Sequence, residues 1–235
     1  MNAETNTTVI IDNNYYSIGF PNEKWDEIIS RENYISQIEN YLDNDTNIIF
    51  IEGAEDSGKT TINGIFARKN VTQTVSVFFN PSNSLDFKRE YLFANIVPQI
   101  KNLLNEEIHD TEHYDIEEYR HSIFQLRKKL KSNCKCVYFI IDGLESKINE
   151  DSEFVRDLFD FIPIGENIFK FIISGSAENF KNTCQRLKKQ VTKSISLSGL
   201  STPEINKFLK INDISSNEYQ ELFKVTGGLP GRLKT

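Results

Sequence analysis

The stretch at residues 47–60 reads NIIFIEGAEDSGKT and decides the fold. Its first part, 47–52, is short and apolar, as expected of a strand buried on both faces of a sheet. Residues 53–60 then match G-x-x-x-x-G-K-[ST] at every fixed position, and a helical stretch at 59–69 follows. In this order the glycines let main-chain amides curl toward phosphate oxygens, and the helix adds the positive end of its dipole. The stretch predicts a phosphate-binding loop between a buried strand and a helix.

The residues of this loop have separate expected tasks. Lys59 reaches the β and γ phosphates, and the Thr60 hydroxyl is a ligand of Mg²⁺. Thr61 lies one step further into the helix and faces the α phosphate. A plain glycine turn between strand and helix is the alternative. The predicted nucleotide-binding residues of the loop are Gly53, Ala54, Asp56, Ser57, Gly58, Lys59, Thr60 and Thr61.

A second acidic site follows the apolar run VYFII at 137–141. Asp142 ends this run, and ligands of open α/β sheets bind at the carboxyl ends of the strands. We expect Asp142 to join Thr60 in binding the metal, through a water molecule, with an ordinary turn aspartate as the alternative. Glu145 follows three residues later and can act as general base toward an attacking water, or remain a solvated loop carboxylate. Lys59, Asp142 and Glu145 are therefore the predicted catalytic residues.

The rest of the chain alternates apolar runs with helical patterns, which predicts a parallel sheet covered on both faces. We expect a three-layer P-loop α/β sandwich with a five-stranded parallel sheet, followed by the start of a small helical lid. The predicted strands are 47–52, 74–79, 137–141, 169–174 and 194–197. Three domains are expected: a polar arm at 1–20, the nucleotide-binding core at 21–199 and the lid at 200–235.

Composition limits the classes of function. The chain has 235 residues, 38% of them hydrophobic and 26% charged, which excludes a disordered protein. Its net charge of −7 disfavours nucleic-acid binding through the bulk field but leaves local basic patches open. The start does not resemble a signal peptide, no apolar run approaches membrane-spanning length, and the three cysteines suit a reducing compartment. We expect a cytoplasmic protein without membrane contact.

Three weaker features favour ordinary structural explanations. His109 and His113 have the spacing of metal ligands but lack a third firm ligand. Cys134 and Cys136 form a lone C-x-C, which is typical of a turn and a strand start. The basic run at 181–193 predicts a helix at 182–190 with a solvated face, and nucleic-acid contact is the alternative.

Taken together, the motifs resemble the STAND class of P-loop ATPases, which is related to the NACHT and AAA+ groups. The resemblance covers about residues 25–235. WDEIISRE at 25–32 is similar to the family's entry segment near the adenine, and DGLE at 142–145 to its acidic strand end. ISLSGLSTPEI at 195–205 resembles the passage into the lid. GLP at 228–230 matches the G-x-P motif, whose proline, here Pro230, packs on the nucleotide base.

The resemblance implies a switch that binds ATP or ADP with Mg²⁺, changes conformation and self-associates or engages a protein partner through flanking domains. In bacteria, such proteins serve antiphage defence or signalling. Two departures imply slow hydrolysis. SGS at 174–176 stands where relatives have T-S-R, and Ser146 stands in place of a second acid. Two other functions remain open. An AAA+-like nucleic-acid ATPase would have glutamate directly after Asp142, where Gly143 stands, and a scaffold would bind ATP without hydrolysing it.

Overall fold

The computed structural model describes residues 9–11, 14–16, 19–21, 28–44, 46–108, 114–133 and 135–233. Two short strands near the start pair in an antiparallel hairpin, and five more form one parallel sheet. The strands are β1 (Val9–Ile11), β2 (Asn14–Tyr16), β3 (Ile48–Glu52), β4 (Thr74–Phe78), β5 (Val137–Asp142), β6 (Phe169–Ser174) and β7 (Thr192–Ser196). The parallel sheet has the order β4-β5-β6-β3-β7, which confirms the predicted five-stranded α/β fold.

Helices cover both faces of this sheet and continue beyond its last strand. They are α1 (Glu32–Asp43), α2 (Lys59–Lys69), α3 (Arg89–Leu104), α4 (Ile116–Asn133), α5 (Glu145–Glu150), α6 (Ser152–Phe161), α7 (Ala177–Thr183), α8 (Thr202–Asn212) and α9 (Ser216–Thr226). Strand β3 shows the layering, because successive side chains of a strand point to opposite faces. Ile48 and Phe50 belong to one buried cluster, whereas Ile49 and Ile51 belong to the other.

Strand β4 ends the strand order, and a side chain from α3 pairs with its main chain. Gln99 Nε2 donates to the Ser76 carbonyl at 2.7 Å, and Gln99 Oε1 accepts from the Ser76 amide at 2.8 Å. Both residues are buried. The amide side chain therefore takes the place of a neighbouring strand and satisfies main-chain groups that would otherwise cost free energy when buried.

Helices α8 and α9 form the predicted lid with a small core of their own. That core contains Leu200, Phe208 and Tyr219, and Ile29 packs against it from the segment that precedes α1. The amide and hydroxyl of Ser201 donate to the Glu204 carboxylate, which secures the first turn of α8. Entry segment and lid are thus in contact although they are far apart in sequence.

The predicted helix at 182–190 is wrong. Helix α7 ends at Thr183, Cys184 is extended, and a 3₁₀ turn at Gln185–Lys189 follows. The cause is Arg186, whose guanidinium donates to three main-chain carbonyls at and after the end of α6, those of Phe159, Asp160 and Ile164. These bonds anchor the turn to the domain, so part of the basic run serves the fold.

Other expectations from the sequence either differ from the structure or concern residues that the structure does not describe. The β1–β2 hairpin lies inside the stretch predicted as a polar arm, and α5 was not predicted. Trp25, His109, His113 and Cys134 lie outside the described residues. Among the residues that are described, no helix has both the length and the apolar character needed to cross a bilayer.

Candidate nucleotide-binding site

The predicted phosphate loop joins β3 to α2 and has a positive φ at three residues, the first of which is Gly53 at 156°. Asp56 has φ 63°, and Gly58, the residue before the first turn of α2, has φ 92°. Glycine is the residue that adopts such angles without strain. The loop therefore ends in a glycine that delivers the chain directly into α2, where main-chain amides without helical partners favour an anion.

Lys59 lies over this loop. Its ammonium donates to the carbonyls of Gly53 at 2.7 Å and Ala54 at 3.1 Å. The same nitrogen is 3.7 Å from Glu145 Oε2. The ammonium thus lies between the phosphate loop and Glu145, the predicted general base. It is close to where the loop would bind phosphates and to where Glu145 would hold a water.

Thr60 and Asp142 are brought together as predicted for a shared metal. The Thr60 hydroxyl donates to Asp142 Oδ2 at 2.5 Å, although 82 positions separate the two residues. Asn63 donates to Asp142 Oδ1 at 3.2 Å and to the Ser174 hydroxyl at 2.6 Å. Asn63 and Ser174 hold the carboxylate in place, and neither is among the predicted site residues. Asn63 lies one helical turn after Thr60, and that spacing was the available signal.

The electrostatics of Asp142 suit a cation. Burial raises the pKa of its carboxyl, and hydrogen bonds from Ser174, Thr60 and Asn63 with the charge of Lys59 oppose that rise only in part. A buried carboxylate with a raised pKa is relieved by a metal ion. The hydroxyl and carboxylate are oxygen ligands of the kind that Mg²⁺ prefers, so these residues fit that ion.

The backbone directly after Asp142 explains why position 143 is a glycine and carries no side chain. Its φ is +82°, and a Cβ there would lie 2.0 Å from the carbonyl oxygen of Phe79. A glutamate directly after Asp142 is therefore excluded by this backbone. The acid nearest in sequence is Glu145, in the first turn of α5, whose Oε1 accepts from the Ser176 amide at 3.2 Å.

These groups line one cavity of about 730 Å³. Thr61 lies at its wall, and Ala54 contributes the carbonyl that Lys59 binds. Gly19 and the segment after β4 also line the cavity. Of the predicted site residues, the cavity is lined by Gly53, Asp56, Ser57, Gly58, Lys59, Thr60, Thr61, Asp142, Glu145 and Pro230.

The end of the lid contacts the loop itself. The Gly231 amide donates to the Asp56 carbonyl at 2.9 Å, and Arg232 Nε is 3.4 Å from Asp56 Oδ2. Pro230 lies beside Gly58, since a Cβ on that glycine would be 3.8 Å from the proline ring. A change in the conformation of the loop therefore directly alters the contacts made by the segment that follows α9.

Comparison with known proteins agrees with this geometry. The profile of the ATPase_2 family, described as an ATPase domain predominantly from Archaea, matches residues 28–235. No curated protein matches the chain at a significant level.

Two solved structures share the fold. The Walker-type ATPase PABY2304 of Pyrococcus abyssi matches with a TM-score of 0.58 and 13% identity over 88% of this chain and 65% of that one. The ADP form of the Aeropyrum pernix ORC2 protein matches with 0.54 and 15% over 94% of this chain and 63% of that one. The chain thus spans less than two thirds of either structure. A STAND protein with a tetratricopeptide repeat sensor from Pyrococcus horikoshii matches with a TM-score of 0.40 and 12% identity over 97% of this chain and 30% of that one, a likeness too weak to establish a shared fold.

Proposed function

We propose that this chain, which belongs to the ATPase_2 family of ATPase domains found predominantly in Archaea, binds Mg²⁺·ATP in this cavity. We further propose that it acts as a slow switch within a larger regulatory protein. The observation that carries the proposal is the 2.5 Å contact between the Thr60 hydroxyl and the Asp142 carboxylate. It supports a metal site next to the loop that would hold the phosphates. When bound, Mg²⁺ neutralises developing charge on the phosphates.

Glu145 is the proposed general base. Gly143 leaves no room for an acid directly after Asp142, and Glu145 stands beside Lys59 with one oxygen held by the Ser176 amide. In this position its carboxylate can orient a water and accept its proton. The residues that line the cavity in the described part of the chain include no arginine, which supports slow rather than fast hydrolysis.

The lid is the proposed moving part. Its last turn touches the phosphate loop through Asp56 and Gly231, so nucleotide-dependent changes of the loop bias the position of α8 and α9. Packing of Pro230 on the base follows from the resemblance to STAND proteins and stays a prediction. Self-association is the proposed output, and sedimentation velocity with ATP, ADP or neither tests it, since an unchanged coefficient contradicts that output.

Hydrolysis is tested by single-turnover measurements on the wild type and on Glu145→Gln. We expect the variant to keep binding ATP and to lose most hydrolysis, because the amide cannot accept a proton, although it also removes the charge beside Lys59. Glu150→Gln is the matched control, since Glu150 lies in the same helix and pairs with Lys147 outside the cavity lining. Hydrolysis by Glu145→Gln at the wild-type rate would refute the assignment of the base.

Nucleotide binding is tested with and without the metal. Calorimetric titration of the wild type should show that chelation of Mg²⁺ weakens ATP binding. Asp142→Asn should show a much smaller effect of Mg²⁺ on ATP affinity than the wild type, because only Thr60 remains of the two residues proposed to hold the ion. A variant that keeps the full effect of Mg²⁺ would exclude Asp142 from the metal site.

A further inference from the structure

Arg31 is held in an unfavourable backbone conformation at the start of α1. Its φ is 48° and its ψ is 49°, in the left-handed region. For a residue with a side chain this region costs roughly 1–2 kcal/mol, so surrounding contacts must hold it there. The side chain is only 3% exposed. A buried guanidinium on a strained backbone marks a position where the contacts made by the side chain outweigh the local cost.

The guanidinium of Arg31 joins three separate parts of the molecule. Nη1 donates to the Ser57 carbonyl of the phosphate loop at 3.0 Å. Nη2 donates to the carbonyls of Ser198 at 2.8 Å and Gly199 at 3.3 Å, in the connection between β7 and α8. Nε donates to Glu204 Oε1 at 3.1 Å, in the first turn of the lid. A planar group with five fixed donors can satisfy this set, whereas a lysine ammonium cannot span it.

At the loop, Arg31 controls the orientation of one peptide unit. The carbonyl of Ser57 and the amide of Gly58 belong to the same trans peptide, so they point in opposite directions. Because the carbonyl points at Arg31, the Gly58 amide points away from it. Ser57 and Gly58 line the cavity and Arg31 does not. The bond thus directs the amide toward the side where phosphate would bind.

At the lid, Arg31 acts through Glu204. The second oxygen of that carboxylate accepts from the amide and hydroxyl of Ser201, at 2.7 and 2.6 Å, and so secures the start of α8. Ile29, two residues before Arg31, packs on the lid core. Partial burial raises the pKa of Glu204, but the bonds from Ser201 and the charge of Arg31 outweigh it and lower the pKa. The carboxylate is therefore ionised at neutral pH and attracts the guanidinium.

We propose that Arg31 is a positioning residue that couples the phosphate loop to the lid, without itself binding nucleotide. It orients the Gly58 amide and holds the first turn of α8 with the same rigid group, so that a nucleotide which stabilises the loop also restrains the lid. The inference rests on the proposed function, because it requires nucleotide on the loop. It differs from the role that the resemblance implies for this segment, which is proximity to the adenine.

Two variants separate the ends of this connection. Arg31→Lys keeps the charge but loses the contacts to both loop and lid connection, whereas Glu204→Gln leaves the bond to Ser57 intact. Arg127→Lys is the control, since Arg127 forms a two-bond pair with Glu166 away from the cavity lining. Each protein is titrated with Mg²⁺·ADP by calorimetry. Amide hydrogen exchange of α2, α8 and α9 is then measured with and without Mg²⁺·ADP.

In the wild type we expect Mg²⁺·ADP to slow exchange in α2 and also in α8. Arg31→Lys should weaken ADP binding roughly ten-fold, the effect of one lost hydrogen bond to a charged group. It should abolish the ADP-induced protection of α8 while that of α2 persists at saturation. Glu204→Gln should abolish the same protection with a smaller loss of affinity, because the coupling is reciprocal but the loop contact remains. Arg127→Lys should behave as the wild type.

The outcomes distinguish the inference from its premise. A merely structural role of Arg31 would speed exchange in α8 equally with and without ADP, and the ADP-induced difference would survive. Survival of that difference in both variants overturns the inference. Absence of any ADP binding by the wild type overturns the proposed function instead, and this result is read before any variant is compared. If Arg31→Lys fails to fold, Glu204→Gln alone decides.

Discussion

Gly143→Ala is the substitution whose cost follows most directly from the structure. The φ of +82° costs a residue with a side chain roughly 1–2 kcal/mol. The new Cβ would be 2.0 Å from the Phe79 carbonyl oxygen, well inside the 3.0 Å that real Cβ atoms keep. Relief of such overpacking costs typically about 1–3 kcal/mol. Displacing Phe79 also weakens the bond from its amide to the Asp142 carbonyl, worth about 1 kcal/mol. The expected loss is about 3–6 kcal/mol.

Gly165→Ala isolates the torsional part of this cost. Its φ is +99°, yet the nearest atom to an added Cβ, Gln190 Nε2, would be 3.5 Å away, which is ordinary contact. Because this φ lies further from the values that side chains tolerate, the control overstates the torsional part at Gly143. Urea unfolding followed by circular dichroism should therefore show Gly143→Ala as less stable than Gly165→Ala by about 2–4 kcal/mol.

The comparison also tests the assignment of Glu145. If the two alanine variants lose the same stability, the close approach of Phe79 to Gly143 does not exist. The steric exclusion of an acid directly after Asp142 would then fail, and with it the main reason for assigning the base to Glu145.

Two more stability predictions follow from buried polar groups. Asp142 has a raised pKa, so its contribution to stability is greatest below the unfolded pKa and is lost as the pH rises through the folded one. Without Mg²⁺ and nucleotide, Asp142→Asn should therefore melt higher than the wild type at pH 7, by a margin that shrinks as the pH is lowered toward the unfolded-state pKa. Scanning fluorimetry that shows a lower melting temperature of the variant at pH 7 would contradict this. Gln99→Leu leaves the Ser76 amide and carbonyl unpaired in the core and should cost about 2–4 kcal/mol in urea unfolding. Gln125→Leu is its control, because Gln125 is only partly buried and pairs with no main-chain group in the sheet, and equal losses would exclude the edge-pairing role of Gln99.

Local sequence patterns were sufficient to predict most of the sheet and the phosphate loop. Strands β3, β4, β5 and β6 are largely apolar runs because both of their faces are buried, so they could be recognised without knowledge of their partners, whereas the edge strand β7 is mostly exposed. The phosphate loop was recognisable because its glycines and its lysine serve a fixed main-chain geometry. Asp142 lies beside Thr60, as expected where the carboxyl end of a parallel strand meets the phosphate loop, and its role as metal ligand stays a prediction.

What could not be predicted depends on contacts between distant segments. The contact of Arg31 with Glu204 spans 173 positions and has no local signature. The helix predicted at 182–190 does not form, and a 3₁₀ turn stands there whose Arg186 bonds to carbonyls of α6, a contact that helical periodicity does not reveal. Gly143 looked like an ordinary turn glycine, and only the approach of Phe79 shows why no side chain fits there.

The central claim is that the loop before α2 grips the phosphates of a nucleotide with its amides and with Lys59. Calorimetric titration of Mg²⁺·ATP into the wild type and Lys59→Ala measures this most directly, with Lys69→Ala, a lysine at the far end of the same helix, as control. We predict saturable binding by the wild type and the control, and no measurable binding by Lys59→Ala in its folded state. Equal affinity in all three proteins would contradict the account.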